Sequence, residues 1–240
     1  MNIEVYPDPV SVAEKAVSII ADAAWEAIAA RGMFTMAVSG GHTPWIMLRR
    51  LAAAAIPWRA VHIVQVDERV APAGHPDRNL THIFESLLSN CRIHRDQIYA
   101  MPVESPDLEA AAVRYAATLR NIGEELPVID LVHLGLGSDG HTASLTPGDP
   151  VLDVASADVA VSGPYQGRRR MTLTYPILNR ARRILWVVTG GEKAPMLSRL
   201  LDGDGAIPAG RVRSDTALLL ADRAAAPAHQ TTNTGGFVCA

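Results

Sequence analysis

Short apolar segments alternate with helical segments along most of this chain, and this alternation restricts the possible folds more than any other feature. Apolar residues recur at helical spacing between residues 10 and 30, and a short apolar strand at 33–39 follows them and ends in glycines. The same order repeats further along the chain. Because strands that are separated by helices pair in parallel, the sequence predicts an α/β fold with a mostly parallel sheet flanked by helices.

The predicted elements account for most of the 240 residues, of which 48% are hydrophobic, enough for a sizeable core. Strands are predicted at 33–39, 61–66, 128–134, 171–174, 184–189 and 216–221, and helices at 10–30, 44–51, 80–88, 108–122 and 195–201. No repeat or long linker divides them, so one domain spanning 1–240 is expected. Residues from about 224 to 240 are rich in Ala, Thr and Gly and are predicted to be a disordered tail.

Charge and cysteine content limit the partners and the compartment. A net charge of −3 favours neither nucleic acid nor an anionic membrane as a partner. The N-terminus lacks a signal-peptide pattern, and no apolar run approaches the roughly 18 residues of a membrane span. Cys91 and Cys239 form neither a CxxC pair nor a disulfide framework, which fits a reducing compartment. The cytoplasm is therefore the expected compartment, while the oligomeric state stays open and a homo-oligomer is allowed.

The first of three polar clusters follows the strand at 33–39. Gly40 and Gly41 leave backbone N–H groups uncovered, and a helix begins near Pro44, so the loop is suited to binding an anion. Thr43 is placed either to cap that helix or to donate its hydroxyl to a phosphate oxygen. An ordinary tight turn explains the same residues equally well. A nucleotide-triphosphate loop is excluded because its lysine is missing.

The second cluster, Asp67-Glu68-Arg69, follows the strand at 61–66 directly. A solvated charged turn and a functional loop are both open interpretations of such a triplet. The carboxyl ends of parallel strands are where α/β proteins bind ligands, and this position favours function. Asp67 is then a candidate to orient a histidine or a sugar hydroxyl, and Arg69 a candidate to stabilise an oxyanion.

The third cluster, Gly135 to His141, is the most specific. Its glycines match the dinucleotide-binding pattern formally, but Pro147 breaks the helix that this pattern requires, and Asp139 places negative charge where pyrophosphate would approach. No nicotinamide cofactor is therefore expected. A lone histidine is usually structural, yet this one lies beside a carboxylate in a glycine-rich loop at a strand end. We interpret His141 as a general base that either Asp139 or Asp67 orients.

Basic residues near two further strands supply candidate anion ligands. Arg168, Arg169 and Arg170 precede the strand at 171–174, and strand alternation would turn only some of them toward a site. Lys193 lies at the start of a helix, where the helix dipole disfavours a cation, which suggests that it binds an anion. No metal site is predicted, because Asp139 and His141 lack a third ligand at suitable spacing.

Five ordered stretches give the chain a resemblance to a known family: SGGHTP (39–44), VDERVAP (66–72), LGLGSDGHTASLTP (134–147), RMTLTYPILNRA (170–181) and VVTGGEKAPML (187–197). The chain resembles the 6-phosphogluconolactonases, relatives of the glucosamine-6-phosphate deaminases. The resemblance implies a Rossmann-like fold and the hydrolysis of 6-phospho-D-glucono-1,5-lactone to 6-phosphogluconate in the pentose phosphate pathway, without a cofactor. It implies that His141 is the base, and it assigns the phosphate to Gly40, Gly41, Thr43, Arg170 and Lys193.

The sequence departs from the family pattern at three positions. His42 stands where Ser is frequent, Arg78 replaces Ser before Asn79, and Thr146 replaces Phe. The related deaminases carry Glu at the position of Thr146, which counts against a deaminase. A non-catalytic phosphosugar-binding regulator is the alternative from another class, and it would need neither His141 nor its neighbouring carboxylate.

Overall fold

The computed structural model describes residues 1–122 and 126–227. Its strands are Asn2–Tyr6 (β1), Phe34–Val38 (β2), Val61–Gln65 (β3), Asp67–Arg69 (β4), Ile98–Tyr99 (β5), Leu131–Leu134 (β6), Val159–Tyr165 (β7), Arg168–Leu173 (β8), Arg183–Val188 (β9) and Ala217–Asp222 (β10). Its α-helices are Pro9–Arg31 (α1), His42–Leu51 (α2), Asn79–Ile83 (α3), Leu108–Ile122 (α4), Tyr175–Arg180 (α5) and Ala194–Leu201 (α6).

Seven strands form a parallel sheet in the order β1-β10-β9-β6-β2-β3-β5. Every residue of β2 and of β6 is buried, because helices cover both faces of the sheet, and this explains why these strands are continuous apolar runs. The predicted α/β fold with a mostly parallel sheet is confirmed.

The helices form two layers, each with its own apolar core. On one face α1 and α2 pack against the sheet through residues such as Ile20 and Leu48. On the other face α4, α5 and α6 contribute Tyr115, Ile177 and Leu197 to a second core. Burial of such side chains is the main source of stability of a layered fold.

Local signals set the limits of α1, close to the predicted 10–30. Asp8 caps the helix by accepting a hydrogen bond from the backbone N–H of Ser11 at 2.8 Å, and Pro9 occupies the first turn. Gly32 ends the helix with a φ of 79°, a left-handed conformation that glycine adopts without strain.

The direction of the connections reverses between the neighbouring strands β2 and β6. From β2 the chain passes through α2 to β3 on one side, whereas from β6 it continues to β9 on the other side. Such a reversal opens a crevice at the carboxyl ends of the two strands. The loops 39–41 and 135–141 leave these two strands, so the fold places the first and third polar clusters beside each other.

A second sheet, with the order β4-β8-β7, is antiparallel. It differs from the sequence prediction in two respects. Residues 67–69 are not a turn but the strand β4, which pairs with β8. The strand predicted at 171–174 begins already at 168 and lies outside the parallel sheet. Strand β7 was not predicted, because Gly163 and Pro164 interrupt its pattern and its pairing shifts register between Ser162 and Tyr165.

Strand β1 and the two-residue β5, at the edges of the parallel sheet, were also not predicted. Of the predicted tail, residues 228–240 lie outside the described residues. No helix among the described residues combines the length and the apolar character needed to cross a membrane.

Candidate active site

A cavity of about 340 Å³ opens at the crevice between β2 and β6. Eight of the nine residues that the sequence predicted for the site line this cavity: Gly40, Gly41, Thr43, Asp67, Arg69, His141, Arg170 and Lys193. The exception is Asp139, which contacts His141. The three polar clusters therefore converge on one cavity of a size that suits a small phosphorylated sugar.

The imidazole of His141 is held by a carboxylate in its own loop. Nδ1 of His141 lies 2.6 Å from Oδ1 of Asp139, whose other oxygen accepts a hydrogen bond from the hydroxyl of Tyr165 at 3.0 Å. An ionised carboxylate only accepts hydrogen bonds, so Nδ1 carries the proton and the lone pair is on Nε2. Nε2 makes no hydrogen bond within the part of the chain that the structure describes.

The surroundings keep Asp139 ionised. Burial raises the pKa of Asp139, but the charge of His141 and hydrogen bonds from His141 and Tyr165 outweigh burial, so this pKa lies below its ordinary value. Asp139 is therefore an anion at neutral pH, suited to orient the imidazole and to stabilise its protonated form.

Gly137 makes room for this pair of side chains. A Cβ atom at position 137 would lie 2.1 Å from Nδ1 of His141 and 2.6 Å from Oδ1 of Asp139. No side chain larger than hydrogen fits there without displacing the imidazole. The glycines of the third cluster thus shape a loop around His141, as the sequence analysis expected.

Asp67 lies on β4 and is 5% exposed. Its carboxylate accepts hydrogen bonds from the hydroxyl of Ser144 at 2.6 Å and from the amide of Asn79 at 3.1 Å, and it lies 4.0 Å from the guanidinium of Arg170. The sequence left open which carboxylate orients His141. In the structure Asp139 makes that contact, and Asp67 bonds to other side chains of the cavity.

Arg69 extends from the end of β4 into the cavity. Its side chain donates two hydrogen bonds, both from Nη1, to the carbonyl of Asp77 at 3.0 Å and to Oδ1 of Asn79 at 2.9 Å. Nε and Nη2 make no hydrogen bond to the described residues and can therefore donate to a ligand. Asn79 also approaches Gly40, where a Cβ atom would lie 2.0 Å from its Oδ1. This contact explains why the first cluster needs glycine at position 40.

Buried Glu68 holds the start of α3 against β4. Its carboxylate accepts hydrogen bonds from the backbone N–H groups of Asn79 and Leu80 at the start of α3, and it pairs with the buried Arg78 at 3.0 Å. The sequence assigned Glu68 no role of its own within the charged triplet. In the structure it joins β4 to α3 and so positions Asn79.

The start of α2 and the start of α6 supply further groups to the cavity wall. Gly41 precedes α2 with a φ of 124°, and the hydroxyl of Thr43 bonds to that of Thr189. Lys193 stands directly before α6 with its side chain one-quarter exposed. Positive groups around a helix N-terminus suit a phosphate.

Strand alternation turns Arg169 to the face of β8 opposite to that of Arg168 and Arg170. Arg170 faces the cavity and is 4% exposed, whereas Arg168 pairs with Asp77 and Arg169 with Glu109 on the outside. Burial lowers the pKa of Arg170 and the nearby carboxylate of Asp67 opposes this shift. A guanidinium keeps its charge under these conditions.

Two side chains of the site were not predicted from the sequence. Ser144 is fully buried and donates its hydroxyl to Asp67. Tyr165, which contacts Asp139, lies at the end of the unpredicted strand β7. Gly167 between β7 and β8 is compatible with a turn, but Gln-Gly is not one of the dipeptides that indicate a two-residue hairpin.

Comparison with known proteins gives a consistent family. A family model described as glucosamine-6-phosphate isomerases/6-phosphogluconolactonase matches residues 7–220. The 6-phosphogluconolactonase of Synechocystis sp. is 37% identical over 191 residues, 78% of this chain and 79% of that protein. The 6-phosphogluconolactonase of Mycobacterium tuberculosis is 34% identical over 239 residues, 94% of this chain and 97% of that protein.

A solved structure agrees with the sequence relatives. The 6-phosphogluconolactonase from Thermotoga maritima superposes with a TM-score of 0.83 at 26% identity and covers 92% of this chain and 98% of that chain. The resemblance that the five motifs indicated is thereby confirmed. The chain belongs to the glucosamine-6-phosphate isomerase/6-phosphogluconolactonase family.

Proposed function

We propose that this protein hydrolyses 6-phospho-D-glucono-1,5-lactone to 6-phosphogluconate, a step of the pentose phosphate pathway, with His141 as the general base. The observation that carries the proposal is the pair formed by His141 and Asp139 on the wall of a cavity that also holds Arg170 and Lys193. Such a cavity combines a general base with cations that can bind a phosphate. The names of the curated relatives support the same activity.

The chemistry follows from the tautomer of His141. Nε2 accepts a proton from water as the water oxygen attacks C1 of the lactone, and the carbonyl oxygen of the lactone becomes an oxyanion. Arg69, with Nε and Nη2 uncommitted, is the candidate to stabilise that oxyanion. When the tetrahedral intermediate collapses, the bond from C1 to the ring oxygen breaks. The protonated imidazole returns its proton to that oxygen.

The groups proposed to hold the phosphate supply binding and orientation. Arg170 and Lys193 contribute positive charge, and the loop with Gly40, Gly41 and Thr43 contributes backbone N–H groups and a hydroxyl. Fixing the phosphate places C1 near His141, which lowers the entropic part of the barrier. The expected partner is thus a small phosphosugar lactone, and none of these steps calls on a cofactor.

The second candidate is the deaminase activity that the family description also names. At the position where the related deaminases carry Glu, this chain has Thr146, which is 5% exposed and is not part of the cavity wall. A threonine offers no carboxylate to support the histidine during ring opening. Hydrolysis of the lactone is therefore the better-supported activity.

The direct test is an assay of the purified protein with freshly prepared 6-phosphogluconolactone. Acid released on ring opening is followed with a pH indicator, and the spontaneous rate is subtracted. We expect strong acceleration of this rate and no release of ammonia from glucosamine 6-phosphate. Ammonia release would assign the protein to the deaminase branch, and absence of both activities would favour a binding protein.

A further inference from the structure

Tyr165 occupies a position that the backbone defines tightly. It ends β7 and pairs with Arg168 across a two-residue turn made of Gln166 and Gly167. Both turn residues have left-handed φ angles, 52° and 78°, as the favoured two-residue hairpins require. Gln166 adopts this conformation without being glycine, and its side-chain oxygen accepts a hydrogen bond from Arg170 at 3.3 Å. The hairpin tip is thus attached to the cavity wall.

The side chain of Tyr165 contacts three residues that the proposed mechanism uses. Its hydroxyl donates to Oδ2 of Asp139 at 3.0 Å and lies 3.4 Å from Nδ1 of His141. Its ring meets the imidazole of His141 edge to face, with the ring centres 5.1 Å apart. The guanidinium carbon of Arg170 lies 5.0 Å from the centre of the tyrosine ring, within the range of a cation–π contact.

The hydroxyl completes the set of hydrogen bonds to Asp139. One carboxylate oxygen bonds to His141 and the other to Tyr165, so rotation of the carboxylate would break both contacts. Burial and the neighbouring Asp139 raise the pKa of Tyr165, so the hydroxyl keeps its proton and remains a donor. With the side chain of Asp139 36% exposed, water would compete for the second oxygen if the hydroxyl were absent.

We propose that Tyr165 is a positioning residue that fixes Asp139, and through it His141, while its ring holds Arg170 at a set distance from this pair. The proposal rests on the general-base role of His141. The side chain of Tyr165 then has two separable tasks. Its hydroxyl orients the base through Asp139, and its ring positions Arg170 to bind the phosphate.

The two tasks predict different kinetic effects. Tyr165→Phe keeps the ring and removes the hydroxyl, so kcat should fall about tenfold while KM stays within about twofold, as expected for loss of one hydrogen bond to a charged group. The acid limb of the kcat/KM profile should move to higher pH, because Asp139 without its donor holds the protonated imidazole more strongly. Tyr165→Leu should in addition raise KM, because the ring beside Arg170 is lost.

A matched control is Tyr99→Phe, which removes a hydroxyl that, among the described residues, bonds to His62 alone and lies outside the cavity. This variant should keep the kinetics of the wild type.

A double-mutant cycle then separates positioning from a general structural effect. If Tyr165 acts through Asp139, Tyr165→Phe should cost little more once Asp139→Asn is present, whereas independent effects would multiply.

His141→Asn, measured in the same series, distinguishes the two proposals. Normal turnover of His141→Asn would overturn the general-base mechanism and the role of Tyr165 with it. Loss of activity in His141→Asn together with wild-type kcat and an unshifted pH profile in Tyr165→Phe would overturn the positioning role alone. Multiplicative effects in the cycle would also overturn it, and this readout holds even if the tyrosine variants lose some stability.

Discussion

Single side chains of the site could be predicted where chemistry and position agreed. His141, Asp139 and Arg170 combine a reactive or charged group with a place at or beside a strand end, and the structure brings all three together. The partners of Asp67 could not be predicted in the same way. The contact with Arg170 depends on pairing between β4 and β8, which joins residues about 100 positions apart in the sequence. The hydrogen bond from Asn79 depends on the attachment of α3 to β4 through Glu68. Contacts of this kind leave no local pattern.

The alternating arginines of β8 give a direct test of the phosphate end. Arg170→Ala or Lys193→Ala should each raise KM for the phosphorylated lactone by about 10- to 100-fold, the loss of one charge-assisted contact of roughly 1.5–3 kcal/mol. Arg169→Ala is the control, because Arg169 lies on the same strand but pairs with exposed Glu109. Wild-type KM in both test variants would show that the cations do not hold the phosphate.

Gly137 tests the packing of the catalytic loop. In Gly137→Ala the new methyl group would overlap the imidazole of His141, so kcat should fall by at least about 100-fold, comparable to loss of a general base. Gly205→Ala is a suitable control because no atom lies within 4 Å of a Cβ at that position. Steady-state kinetics of both variants check the prediction, and normal turnover of Gly137→Ala would contradict the geometry of the loop.

Among strands and helices, those of the layered core were the most predictable. Strands β2, β3, β6 and β9 are short apolar runs because both faces of the sheet are covered, and α1 and α4 show helical spacing on their buried faces. The hairpin β7–β8 has one strand that is only partly buried and is broken by Gly163 and Pro164. Its register comes from tertiary contacts, so its contribution to the site could not be inferred from the sequence.

Strand β6 carries a buried histidine, His133, that we expect to make stability depend on pH. His133 is fully buried, and burial lowers its pKa to about 4, while Nδ1 accepts a hydrogen bond from the N–H of Ser39. The unfolded chain binds a proton at this residue below about pH 6.5 and the folded chain does not, so acidification favours unfolding. Between about pH 6.5 and pH 5 this residue should lower the free energy of unfolding by roughly 2 kcal/mol.

Urea denaturation of the wild type and of His133→Leu at pH 7 and pH 5 isolates this effect. Other titrating groups are common to both proteins, so the difference in their unfolding free energies should shift by roughly 2 kcal/mol in favour of the variant at the lower pH. A difference that does not change with pH would mean that His133 is protonated in the folded protein.

For the molecule as a whole, the order of the strands determines where chemistry takes place. The reversal between β2 and β6 brings together loops that are about 100 residues apart, and the antiparallel sheet adds β4 and β8 to the same cavity. The α/β class followed from the alternation of elements alone. The second, antiparallel sheet could not be predicted in this way, because its strands pair through tertiary contacts. It contributes Asp67, Arg69 and Arg170 to the cavity.

The central claim is that His141 removes a proton from the attacking water. His141→Asn retains hydrogen-bonding capacity but cannot accept that proton. We expect kcat for 6-phosphogluconolactone to fall by roughly 10²–10⁴-fold. KM should change little, because the side chains that bind the phosphate are intact. The rate must be corrected for spontaneous hydrolysis, and thermal unfolding should show that the variant is folded. A folded His141→Asn protein with near-normal lactonase turnover would contradict the mechanism.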